Sequence, residues 1–342
     1  MDSLMQKKVT EAKQHVVDAE KALKTSLFKR KPDLETASDS YSKAGTCFKT
    51  AKDFQKAIEY FLKSAQCYEQ NNALFSAAKQ HEQIAMMANE IKNYTLVFQS
   101  FDKAAELMIT NGTRDSAGIL LERGANMLKL NEPELSLKLM KRAIQVAEVE
   151  DKNHQIVSLY ETAINLSLRI ENYSETVELI DNSMDTLEKI GTPEQIIKYL
   201  LTVCLVYLYK DDWVSAKNYL DKMKQRFAIE CRADDMLEMY EEKDDEKFRE
   251  LIKNYLNYAV DNEALKIANK IIKSKEWLAS IESHKVQSSK SPSHQPVFNY
   301  ESNAKQNNSP ENPIERNNQH DEIVEDRKVE EEEDDEFADG LL

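Results

Sequence analysis

Five stretches of the chain recur at a spacing near forty residues, and that period limits what the chain can fold into. "KDFQKAIEYF", "KNYTLVFQSF", "NEPELSLKLM", "ENYSETVELI" and "DDWVSAKNYL" place Phe54, Tyr94, Pro133, Tyr173 and Trp213 in register, at intervals of 40, 39, 40 and 40 residues. Three residues after each anchor stands a small or modest side chain: Ala57, Val97, Ser136, Thr176 and Ala216. Four further on comes a large apolar one: Phe61, Phe101, Met140, Ile180 and Leu220. In the first four units the pattern returns to small residues at Ser64, Ala104, Ala143 and Ser183. Spacings of three and four lie on one face of a helix. Nine residues before each anchor stand Gly45, Ala85, Gly124, Ile164 and Cys204, read as close-approach positions on a preceding helix.

Each unit is therefore expected to be an antiparallel helix pair, with helices of about 15 residues and so about 22 Å long. One amphipathic pair cannot bury its apolar stripe alone, whereas stacked neighbours bury it on both sides. Turn chemistry falls between units, at "NN" (71–72), "NGT" (111–113), "DKN" (151–153) and "GTP" (191–193). The aromatic–small–large–small order is that of tetratricopeptide repeats stretched to 40 residues. The expected fold is all-α, a right-handed TPR-like solenoid of helical hairpins over residues 1–227. A leading helix is expected near Ser3–Lys24, and Pro32 suits the start of the next. Residues 228–283 read as a C-terminal helical cap with stretches near Asp234–Glu242, Asp245–Tyr258 and Asn262–Ile281.

Only 6 glycines and 7 prolines occur in 342 residues, as a helical composition requires. The net charge is −15. Residues 284–342 carry six basic and fifteen acidic side chains, so most of that charge sits at the end. This segment is Ser-, Asn-, Pro- and Gln-rich, and burial could not offset its ordering entropy, so it reads as a disordered linker and acidic tail. The balance argues against nucleic acid as a partner. The longest apolar stretch, Tyr199–Tyr209, is too short to span a bilayer, which takes roughly 18–20 residues. The four cysteines lack C-x-x-C spacing and read as buried thiols of a cytosolic protein.

Little in the chain points to catalysis. The six histidines are scattered without ligand pairs at i, i+3 or i+4, and His81 falls on a packing position shared with Tyr41 and Tyr160. Neither phosphate-binding glycine motif occurs. No enzyme, metal or cofactor is expected. A helical solenoid instead presents a long surface to another protein. Lys103, Lys138, Lys141, Arg142 and Lys198 supply cations for such a surface, suited to an acidic rod if they share one side, or else belong to an ordinary mixed face.

Four stretches carry a resemblance. "LKTSLFKRKPDLETASDSY" (Leu23–Tyr41), "NNALFSAAKQHEQIAMM" (Asn71–Met87), "YAVDNEALKIA" (Tyr258–Ala268) and the ending "DDEFADGLL" make the chain similar to the soluble NSF attachment proteins, or SNAPs, most nearly the gamma form. The resemblance implies an adaptor that binds a four-helix SNARE bundle and recruits and stimulates the hexameric AAA ATPase NSF. That work serves SNARE disassembly in membrane fusion, vesicle-mediated and intracellular protein transport, including ER–Golgi traffic. It implies a cytoplasmic protein peripherally held at the cytosolic face of membranes.

Two sites follow by the same resemblance. The acidic run Glu330, Glu331, Glu332, Glu333, Asp334, Asp335 and Glu336, with Phe337, Gly340 and Leu341, would contact the ATPase; from composition alone it is a self-repelling solvated end. Leu27 and Phe28, flanked by Lys29, Arg30 and Lys31, would touch an anionic membrane, or else close over the first helix pair. A chaperone-type TPR receptor for acidic terminal peptides, or a scaffold, remain the alternatives.

Overall fold

The computed structural model describes residues 2–25 and 30–274, and it is helical throughout. After the leading helix α1 (Asp2–Leu23), ten helices alternate as five hairpins. These are α2 (Leu34–Thr50) with α3 (Phe54–Gln70), α4 (Leu74–Glu90) with α5 (Tyr94–Thr110), and α6 (Arg114–Leu128) with α7 (Pro133–Val149). Then come α8 (Asn153–Arg169) with α9 (Tyr173–Ile190) and α10 (Pro193–Tyr209) with α11 (Trp213–Phe227). The cap begins with α12 (Ala233–Glu241). Next, α13 opens at Asp245–Leu251, widens into a π turn over Ile252–Leu256 and closes with Asn257–Ala259. A last helix, α14, is described over residues 262–274. Packing runs mainly between consecutive helices, as a solenoid demands.

The five anchors are the first helical residues of α3, α5, α7, α9 and α11, and the local chemistry explains why. Just before four of them, Asp53, Asn93, Asn172 and Asp212 accept a hydrogen bond from the backbone N–H three residues on, capping the helix. In the remaining unit Pro133 at the first position replaces the side-chain cap with a preset φ. One residue before those four caps, Lys52, Lys92, Glu171 and Asp211 adopt positive φ, reversing the chain within the turn. Gly191 ends α9 in the same region at φ 73°, its N–H bonded to the Leu187 carbonyl at 2.9 Å. Alanine there would strain the backbone by about 1 kcal/mol. We expect Gly191→Ala to lower the denaturation midpoint slightly while leaving helix content unchanged by circular dichroism.

The large positions Phe61, Phe101, Met140, Ile180 and Leu220 are buried, as are Ala57, Val97, Ser136, Thr176 and Ala216 before them. Burying one such large side chain stabilises by about 1.5–3 kcal/mol. Small polar residues are tolerated because their hydroxyls find partners across the hairpin. Ser64 Oγ donates to the Ser38 carbonyl at 2.8 Å, and Ser136 Oγ to the Ala125 carbonyl at 2.7 Å. Gly45 and Gly124 allow aromatic rings to reach the helix backbone. A Cβ on either would stand 2.7 Å from a ring atom, of Phe61 and Phe101 respectively. His81 is largely buried, and that desolvation pushes its pKa down. Cys47, Cys67 and Cys204 are buried free thiols and Cys231 is partly buried.

Candidate partner-binding surface

Charged side chains tie like-numbered helices of successive hairpins together. Along the second helices, Lys103 on α5 reaches Glu69 on α3 at 3.8 Å and Glu106 at 3.3 Å. Arg142 on α7 pairs with Asp102 on α5, and Lys141 with Glu175 on α9. Arg226 on α11 bonds Asp185 and Glu188 on α9 at 2.5 and 2.6 Å. Along the first helices, Glu82 on α4 pairs with Arg123 on α6. Lys198 on α10 bonds Glu161 on α8 at 2.7 Å and Asp261, just before α14, at 3.0 Å.

The five cations considered from sequence therefore do not assemble into one patch. Lys103, Lys138, Lys141 and Arg142 belong to the second-helix layer, while Lys198 belongs to the first and fastens the cap. Four of them are engaged in ion pairs between helices. Lys138 is exposed and has no ion pair among the described residues. Arg30 and Lys31 are exposed, whereas Leu27, Phe28 and Lys29 lie outside the described residues, as does the whole acidic ending.

What residue patterns did not reveal is an open strip on the first helices. On α4, Phe75, Lys79 and Met86 share one exposed face, with Lys79 Nζ 5.6 Å from the Phe75 ring centroid. On α6, Ile119 is 64% exposed and is followed one turn later by Arg123. The Glu82–Arg123 pair joins these two faces side by side. On α2 the corresponding positions Asp39 and Lys43 are also exposed. Further along, the cap closes over the strip. Asn165 on α8 and Lys198 on α10 both bond Asp261, and α10 is buried from Tyr199 to Val206. The strip is thus open from α2 to α6 and covered at α8 and α10. A periodicity argument assigns Phe75 and Ile119 to a helix but cannot say whether a neighbouring helix covers them.

A stack of forty-residue helical hairpins with one open, mixed apolar and charged face defines a tetratricopeptide-like binding solenoid. The model for the soluble NSF attachment protein family, SNAP, matches residues 10–275, so the chain belongs to that family. A gamma-soluble NSF attachment protein of Dictyostelium discoideum is 24% identical over 282 residues, covering 81% of this chain and 87% of the relative. The one from Arabidopsis thaliana is 22% identical over 258 residues, covering 74% and 89%. Among solved structures, the signal transduction ATPase with numerous domains (STAND) protein with a tetratricopeptide repeat sensor, PH0952 of Pyrococcus horikoshii, aligns with TM-score 0.34 and 12% identity, over 75% of this chain and 39% of that one. Members of the family are adaptors rather than enzymes. Among the described residues no helix is long and apolar enough to cross a membrane.

Proposed function

We propose that the chain lays its open first-helix strip against a four-helix SNARE bundle and presents its acidic end to the hexameric ATPase NSF, which then pulls the bundle apart. The family match over residues 10–275 is the observation that carries this reading. The strip adds to it, because Phe75, Met86 and Ile119 offer apolar contact while Lys79 and Arg123, two cations sharing the single carboxylate of Glu82, leave a net positive charge, the combination a rod of amphipathic helices can meet. The cation Lys138 on the other helix layer is a secondary contact in the same proposal. The run Glu330–Glu336, followed by Phe337, Gly340 and Leu341, supplies the ATPase contact and stimulation. Leu27 and Phe28, with Lys29, Arg30 and Lys31, give a transient hold on an anionic bilayer, each cation adding about 1 kcal/mol near the surface. The protein then acts from the cytosolic side of membranes in vesicle transport.

Purified full-length protein should bridge an assembled SNARE bundle to NSF and raise ATP hydrolysis. Deleting Gly340–Leu342 should remove the stimulation and leave bundle binding intact. Phe75→Asp together with Ile119→Asp should do the reverse, weakening bundle binding by at least about tenfold, since one buried apolar side chain exceeds 1.4 kcal/mol. Failure of the unaltered protein to bind either partner overturns the reading.

A further inference from the structure

The leading helix carries a second constellation that the adaptor role does not use. Glu11 and His15 stand one turn apart on α1, and Cys47 faces them from α2. One ligand atom from each, a carboxylate oxygen, an imidazole nitrogen and the thiol sulfur, lies within 4.8 Å of the other two. The two oxygens of Glu11 divide their work. Oε2 accepts a hydrogen bond from Lys8 Nζ at 2.7 Å, while Oε1 points toward His15 Nε2 at 4.0 Å. Cys47 is buried at the base of the cluster, His15 is half-buried and Glu11 is exposed, so the site opens to solvent on one side.

We infer that Glu11, His15 and Cys47 bind a zinc-class divalent cation that clips the leading helix onto the first hairpin, with water as the fourth ligand. A carboxylate, an imidazole and a thiolate form a donor set that suits borderline-soft Zn²⁺ and fits Mg²⁺ or Ca²⁺ poorly. Bond lengths of about 2.0–2.3 Å in a tetrahedral site separate ligand atoms by about 3.3–3.8 Å. The present spacing needs only a side-chain rotation of roughly an ångström to close onto a metal. Glu11 need not leave Lys8, because Oε1 is the oxygen turned toward the cluster. Lys8 then serves as the outer partner that holds the carboxylate in place. On binding, Zn²⁺ replaces the Cys47 thiol proton, which passes to solvent, and no electrons are exchanged. The clip joins residues 32 and 36 positions apart in sequence, holding α1 against the solenoid just ahead of the 24–31 connection.

Metal binding to the full-length, reduced protein tests this, with Zn²⁺ and Co²⁺ as the probes. We expect one tight Zn²⁺ per chain, a thiolate-to-cobalt charge-transfer band with Co²⁺, and a rise in melting temperature reversed by a chelator. His15→Ala and Cys47→Ala should each weaken binding by at least about 10–100-fold, the loss that even an outer-shell partner inflicts. Cys47→Ala should also abolish the cobalt band, while Cys231→Ala should leave band and affinity unchanged. Glu11→Gln and His15→Ala lie toward solvent, so they decide the matter even if the buried Cys47 variant folds poorly. Absence of the cobalt band, or zinc uptake that these substitutions leave unaltered, overturns the site and places any bound metal elsewhere, for example on the acidic end. SNARE and NSF binding do not enter the readout, so the adaptor reading stands or falls separately.

Discussion

Two glycines six residues apart on one helix should respond to the same substitution with opposite sign. Gly124→Ala is expected to destabilise the solenoid by about 1–3 kcal/mol, although alanine is the better helix former by about 1 kcal/mol. A Cβ at 124 would stand 2.7 Å from Cδ2 and Cγ of Phe101 and 2.9 Å from Cδ1 of Leu139. Both neighbours are fully buried, so neither can swing into solvent. At Gly118 the nearest atom is Val146 Cγ1 at 3.6 Å, an ordinary contact. Gly118→Ala should therefore be neutral or stabilising by up to about 1 kcal/mol. Phe101→Ala, which removes the ring itself, should cost about 3–5 kcal/mol. Combining Gly124→Ala with Phe101→Leu should cost less than the sum of the two single changes, because the smaller side chain vacates the space the new methyl needs. Urea denaturation of the five variants checks the order, and equal losses at 118 and 124 would contradict the packing described.

That contrast also marks how far the sequence could be read. The repeat placed Gly124 in a column with Gly45 and Ala85, and it placed Phe101 in the column of large residues. Their periodicity sufficed to predict helices, hairpins and buried columns, and the structure bears these out. The cap was legible for the same reason, since Ala264, Ile267, Ala268, Ile271 and Ile272 repeat at three and four within α14. The surface was much less legible. Periodicity gives the angle of a residue around its own helix but not what stands opposite. Lys141 and Glu175 are 34 residues apart, and Lys198 and Asp261 are 63 apart. Only the stacking of hairpins and the return of the cap bring such partners together. Cations that looked available in sequence are for this reason mostly occupied in the fold. The Glu11–His15–Cys47 cluster is not legible in the sequence either, because the third member comes from another helix and the local pair is a carboxylate with a histidine.

The ion-pair ladders have unequal weight, and the link between α4 and α6 should matter most. Glu82 is 7% exposed, so its charge has little water around it. Burial alone would raise its pKa, but hydrogen bonds and charge from Arg123 and Lys79 outweigh that and hold the carboxyl below its ordinary value. Lys79 Nζ is 3.2 Å from Oε2, while Arg123 takes Oε1. Replacing Arg123 by methionine keeps much of the stem's packing and removes the stronger partner. Stranding a buried charge costs about 3–5 kcal/mol, and the remaining Lys79 together with the partial exposure of Arg123 should reduce this to about 2–3. Because the folded-state pKa of Glu82 is lowered, the unaltered protein holds this stability above the unfolded carboxyl value. It loses that part as pH falls through the folded value. In Arg123→Met the shift should reverse, since burial then dominates, and protonation would relieve the variant. The stability gap between the two proteins should therefore narrow from pH 7 toward pH 4. A second change, Glu82→Gln on the Arg123→Met background, should recover much of the loss at pH 7 and flatten the dependence. Exposed pairs such as Arg226 with Asp185 should show neither effect when broken, because water already solvates both charges and such pairs contribute at most about 1 kcal/mol. A gap that stays constant with pH would mean that the buried carboxylate of Glu82 is not what joins the second and third hairpins.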